Sequence, residues 1–149
     1  MRRGLAFAAI ITAVLVGYLV MQRLSPAHQV RALVSRQEDM WKSGDIQGLY
    51  ATFSPQLQAQ CPYAAVAALA SKATQGLSQF GFPTLSFKIT SLSVSGDTAT
   101  MTGTLSAGPQ VIYTTPPTDP ARFVRTPDGW LLDSVGSAAD TGCATAAAP

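Results

Sequence analysis

Histidine occurs once in this chain, at position 28, and charged residues make up only 12% of it. A single histidine removes the imidazole sets on which many metal centres and nucleophilic triads depend. No metal-ligand spacing, glycine-rich phosphate cradle or Ser/His/Asp arrangement is present. No metal or other cofactor is therefore expected, no catalytic residue is assigned, and the chain reads more as a binding module than as an enzyme. Basic residues are equally thin. Setting aside Arg2, Arg3 and Arg23 near the N-terminus leaves 7 of the 10 Lys and Arg residues against 8 acidic ones, a net charge of −1. No basic cluster remains, and the aromatic residues are not interleaved with positive charge, which argues against a nucleic-acid partner.

The chain does have one long apolar run. Met1-Arg2-Arg3 precedes an uncharged stretch from Leu5 to Met21, 17 residues long and ended by Gln22 and Arg23. That is the short limit for a helix crossing a bilayer, and the arginines before it would hold the N-terminus in the cytoplasm. Residues 1–25 are read as an uncleaved anchor, giving a single-pass cell-membrane protein whose C-terminal domain is extracytoplasmic. The alternative is a cleaved signal and a secreted domain, for which Ser25-Pro26-Ala27 supplies small residues. What remains is enough for one domain, residues 26–135, followed by a tail of small residues, 136–149.

The first part of the domain carries helical spacing. From Pro26 to Trp41, Val30, Leu33, Val34, Met40 and Trp41 form a stripe, with Gln37 inside it, and Gly44 provides the stop. Asp45 is a cap for a short helix bearing Ile46, Leu49, Tyr50 and Phe53, and Ser54-Pro55 starts another turn. Tyr63 to Phe80 is alanine-rich, with Val66, Leu69, Ala73, Leu77 and Phe80 spaced for a buried face and small residues that would permit close approach to a sheet.

The second part alternates. Gly96-Asp97 is a two-residue hairpin turn that sets Val94 opposite Ala99 and Leu92 opposite Met101. Beyond Thr90 the alternation changes parity, since Leu85, Phe87 and Ile89 are odd-numbered while Leu92 and Val94 are even. One extra residue near Thr90-Ser91 repairs it, placing Ile89 against Gly103, Phe87 against Leu105 and Leu85 against Ala107. The result is a curved hairpin, apolar on one face and hydroxylated on the other. A strand from Gln110 to Thr114 and a proline-rich loop from Thr115 to Ala121 lead to a closing hairpin, Arg122 to Val135. Its turn, read as the three residues Pro127-Asp128-Gly129, sets Thr126 opposite Trp130 and Val124 opposite Leu132. Phe123, Arg125, Leu131, Asp133 and Val135 then share the other face.

Helices followed by a bent antiparallel sheet make an α+β domain. In the helix end, Gly44-Asp45 and short helix of Trp41 to Phe53, and in the strand pair Phe123-Val124-Arg125 with Gly129-Trp130-Leu131-Leu132, the chain resembles the nuclear transport factor 2-like superfamily. The resemblance covers about Pro26 to Val135. It implies N-terminal helices closing a curved sheet into a cone, and its bacterial members are often held by one N-terminal helix outside the cytoplasm. Enzymatic members place an acid or histidine with tyrosines inside the cone. Here His28 lies ahead of the domain as a solvated linker residue, and Asp45, Asp97 and Asp128 have capping or turn roles. Asp133 stands apart, on a strand face beside Arg125, either as part of a site or as an exposed cross-strand ion pair.

Two functions follow. One is a non-enzymatic, membrane-anchored module that binds a protein partner, or a second copy of itself, through an uncovered sheet face. The other is a pocket for an apolar, lipid-like small molecule, with weak isomerase- or cyclase-like chemistry as a variant. The pocket would be lined by Trp41, Tyr50, Phe53, Phe87, Tyr113 and Trp130, with Arg125 and Asp133. In an oxidising compartment Cys61 and Cys143 are expected to form a disulfide, the other possibility being a buried Cys61 and a free Cys143 on a loose tail.

Overall fold

The computed structural model describes residues 25–79, 81, 85–136 and 143. The expected anchor and most of the C-terminal tail lie outside them. Among the described residues no helix is long and apolar enough to cross a membrane. Four helices precede five strands: α1 (Pro26–Ser43), α2 (Ile46–Ala51), α3 (Pro55–Gln60), α4 (Tyr63–Gln79), β1 (Leu85–Ser95), β2 (Thr98–Ala107), β3 (Gln110–Thr114), β4 (Ala121–Thr126) and β5 (Gly129–Ser134).

Helix α1 begins where Ser25 accepts the His28 amide and Pro26 occupies the first turn. His28 is thus an exposed residue of that first turn rather than part of a linker. The helix stops at Gly44, whose φ of 76° allows its amide and that of Asp45 to reach the carbonyls of Trp41 and Met40. Asp45 Oδ1 accepts the Gly48 amide at 2.8 Å and so caps α2. Ser54 caps α3 through the Leu57 amide.

The sheet runs β1-β2-β4-β5, antiparallel throughout. β2 is long enough to hold two neighbours on one side, β4 along its first half and β3 along its second. The β1–β2 register is the one the alternation dictates: Val94 opposes Ala99, Leu92 opposes Met101, and beyond a bulge between Ile89 and Ser91, Ile89 opposes Gly103. On the outer face the hydroxyls of Thr90 and Ser91 meet that of Thr102 at 3.0 and 2.7 Å across the bulge. Curvature there turns the apolar face inward, and Val30, Leu33 and Val34 of α1 pack into it against Ala99, Met101, Phe123, Trp130 and Leu132.

Two expectations are corrected. The closing hairpin has a two-residue turn, with Thr126 opposite Gly129, Arg125 opposite Trp130 and Val124 opposite Leu131. In that register Phe123 opposes Leu132 and shares its face, not that of Leu131 and Asp133, and an irregularity between Arg122 and Phe123 then sets Arg122 opposite Ser134. Helix α4 leans on α2 rather than on the sheet. Its buried residues are Ala65, Val66 and Ala70, and Val66 belongs to a second small core with Cys61, Cys143, Tyr50 and Leu69. Residues 52–54 cover the free edge of β5, through Leu132 N to Thr52 O (2.9 Å) and Ser54 N to Leu132 O (2.7 Å).

Candidate functional site

The sheet curves away from the C-terminal half of α1, and the space between them is not filled. A cavity of about 330 Å³ remains, open on one side. Its helical wall is Val34, Gln37, Glu38 and Trp41; its floor is Phe87, Met101, Leu105, Phe123 and Leu132. Ser86 and Tyr113, both exposed, belong to its rim. The helical stripe explains this arrangement: residues 34, 37 or 38 and 41 lie one turn apart, so the stripe that packs on the sheet near Val30 lines the void further along.

Polar groups in the wall are few. The Gln37 amide nitrogen donates to Thr52 Oγ1 at 2.7 Å, so its orientation is set. Glu38 contacts Lys42 one turn later at 2.7 Å, and this hydrogen bond holds the Lys42 ammonium above its ordinary pKa. Thr115, only 5% exposed, is fastened by its amide to the Gly103 carbonyl at 2.9 Å. No lysine or arginine lines the cavity, nor does any group of three or more potential metal ligands occur among the described residues.

Of the residues singled out in the sequence, Trp41, Phe87 and Tyr113 come together around this cavity. The others lie elsewhere. Trp130 is buried in the main core, its indole N–H donating to Gln29 Oε1 at 3.1 Å. Phe53 bridges the two cores. Tyr50 packs its ring against Phe53 and Tyr63, with centroids 5.7 and 5.5 Å away, and its hydroxyl donates to the Gln58 carbonyl. Arg125 is exposed. Asp133 is neither exposed nor paired with Arg125: it is 5% exposed, and Oδ2 accepts from Arg122 Nε at 2.9 Å and Nη2 at 2.7 Å. Its Oδ1 accepts the Ser54 hydroxyl at 2.6 Å, which ties the cap of α3 to the sheet. Met101, Leu105 and Thr115 were not singled out as lining, because alternation and a proline-rich loop mark them only as core and connection.

Cys61 and Cys143 are joined as a disulfide, their Cα atoms 5.2 Å apart. The bridge fastens one point of the tail to the foot of α4, in the small core with Val66 and Tyr50, and neither cysteine lines the cavity.

No family model matches the chain, and no curated protein matches it. Among solved structures, an NTF2-like (nuclear transport factor 2-like) protein with a cystatin-like fold from Novosphingobium aromaticivorans is 20% identical, with 93% of this chain and 96% of that chain covered and a TM-score of 0.48. A protein of the NTF2-like family from Streptomyces avermitilis, provisionally described as a dehydratase, is 21% identical, with 72% of this chain and 91% of that chain covered and a TM-score of 0.39. Both bear the description of the superfamily that the sequence pattern resembles.

Proposed function

We propose that this domain binds a small apolar molecule in the cavity between α1 and the sheet. The observation that carries the reading is the void itself. At about 330 Å³ it falls within the size range of ligand pockets, and it is walled by aliphatic and aromatic side chains that a well-packed core would have brought into contact. Binding is favoured over acid–base chemistry because Glu38, the one carboxylate of the wall among the described residues, is engaged with Lys42, while Asp133 is committed to Arg122 and Ser54. A neutral fluorescent probe, N-phenyl-1-naphthylamine, tests this. Saturable single-site binding with blue-shifted emission is expected, abolished by Leu105→Trp, which fills the cavity from its floor. Absence of saturable binding, or full binding by the Leu105→Trp protein, would refute the pocket.

A second reading, association through the sheet, is favoured by β3. Val111 and Ile112 are 61% and 52% exposed on a strand that, among the described residues, pairs only with β2. In either case the proposal keeps the domain on the outer side of the cell membrane, supported by the apolar run from Leu5 to Met21 behind Arg2-Arg3 and by the paired cysteines. Protease added to intact spheroplasts should digest the domain, and full protection would contradict this placement.

A further inference from the structure

The pocket reading leaves open what kind of apolar molecule fits, and the one buried residue of the wall whose side chain makes no hydrogen bond among the described residues bears on that. Four polar residues are buried among the described ones: Thr52, Ser54, Thr115 and Asp133. The side chains of three are fully used. Thr52 Oγ1 donates to the Leu49 carbonyl and accepts from Gln37, while Ser54 and Asp133 bond to each other and to Leu57 N and Arg122. Thr115 differs. Its amide is bound to Gly103 and the residue lines the cavity, but its hydroxyl makes no hydrogen bond among the described residues and is not sealed from solvent-sized space.

Resting on the pocket reading, we infer that Thr115 is the polar anchor of the site and that the ligand is an uncharged, mainly apolar molecule carrying one hydrogen-bonding oxygen, an alcohol or a ketone. A hydroxyl can donate to a carbonyl or exchange bonds with an alcohol, so both classes satisfy it. Water can meet the same need in the empty cavity, and a hydrocarbon that displaced it would leave the hydroxyl unpaired. Position supports the role: the Thr115 amide bond to β2 fixes the residue before a ligand arrives, so little ordering remains to be done. Charge narrows the class. With Glu38 in the wall already holding Lys42, and no basic side chain among the described residues lining the cavity, a carboxylate would enter without a free counter-ion. Fatty acids and other apolar anions are thereby disfavoured relative to the matching alcohols.

Naphthalene, 2-naphthol and 2-naphthoate are suitable probes, titrated by fluorescence against the full chain and its variants. In the unaltered protein 2-naphthol should bind roughly three- to tenfold tighter than naphthalene, the span expected of one net hydrogen bond, and naphthoate should bind weakest. Thr115→Val, nearly isosteric, should erase the naphthol preference, with naphthalene binding at least as tightly as in the unaltered protein because no hydroxyl is left unpaired; Thr115→Ser should keep the preference. A preference that survives Thr115→Val, or naphthoate binding as tightly as naphthol, overturns the inference and leaves the pocket standing. If naphthalene and 2-naphthol both fail to bind, the pocket falls as well. Should Thr115→Val not fold, Thr115→Ser and the ranking in the unaltered protein decide: equal affinity for naphthalene and naphthol refutes the anchor.

Discussion

Gly103 lies beneath the ring of Phe87, on the strand paired with it and beside the bulge. A Cβ at this position would run into the Phe87 ring and come within 2.6 Å of the Lys88 carbonyl oxygen. Both obstacles belong to β1, and one is backbone, so the strand itself would have to move. Gly103→Val is expected to lower the unfolding free energy by about 1 to 3 kcal/mol in urea titration, with Gly103→Ala between it and the parent. Phe87 is also part of the cavity floor, so the same substitution should weaken N-phenyl-1-naphthylamine binding. Parental stability in Gly103→Val would show that the two strands are not in close contact here.

The register around that contact was legible in the sequence because side-chain parity is countable; it sets Ile89 against Gly103, whereas the Phe87 ring over Gly103 is a diagonal contact that pairing alone does not give. A change from odd to even apolar positions at Thr90-Ser91 demands one extra residue, and the bulge falls there. The caps at Asp45 and Ser54 were legible for a similar reason, since a short polar side chain beside a helix start has one economical use; Ser25, read only as a small residue, proved to be a third. The closing hairpin was not. Pro127-Asp128-Gly129 can be counted as a loop of three or as a turn of two with Gly129 already in the strand, and the irregularity at Arg122-Phe123 has no apolar signature. The cavity was equally hidden, although Trp41, Phe87 and Tyr113 were among its expected lining. Alternation marks Met101 and Leu105 as facing inward but says nothing of how far α1 stands from them. In α4, small residues permit close packing on any neighbour, and the disulfide and Tyr50 supply one that is not the sheet.

The two arginines of β4 are expected to behave unlike each other. Arg122 grips a carboxylate that is 5% exposed, whereas Arg125 points to solvent. Arg122→Ala leaves Asp133 with the Ser54 hydroxyl alone, and because the arginine is itself 47% exposed the cost should be about 1 to 3 kcal/mol rather than that of a fully buried pair. Arg125→Ala should fall within about 0.5 kcal/mol of the parent. Equal effects of the two substitutions in thermal or urea unfolding would contradict the pairing.

Strand β3 separates the pocket from the interface reading. Ile112 is 52% exposed and is not among the cavity-lining residues, so Ile112→Lys places a charge on the strand while leaving that lining intact. If the strand is an association surface, sedimentation velocity should show the soluble domain shifting toward monomer in Ile112→Lys, with N-phenyl-1-naphthylamine affinity unchanged. A monomeric parent would rule out self-association under those conditions. A matching loss of probe binding in the variant would show that the strand and the cavity are one site.

The disulfide offers a test of both stability and function. Cys61 and Cys143 enclose a separation of 82 residues that contains α4 and the whole sheet, so the bridge restricts the unfolded chain over most of the domain. The chain-entropy model assigns such a loop about 4.5 kcal/mol, an upper figure because residual structure in the unfolded state reduces it. Reduction, or Cys61→Ser with Cys143→Ser, should therefore lower the melting temperature. The bridged pair sits in the core formed with Val66, Tyr50 and Leu69, separate from the cavity lining. Probe binding below the new melting temperature should consequently survive reduction with little change in affinity. Loss of binding in the reduced but folded protein would mean that the disulfide helps set the distance between α1 and the sheet. An unchanged melting temperature would mean that the bridge adds nothing to the stability of the fold.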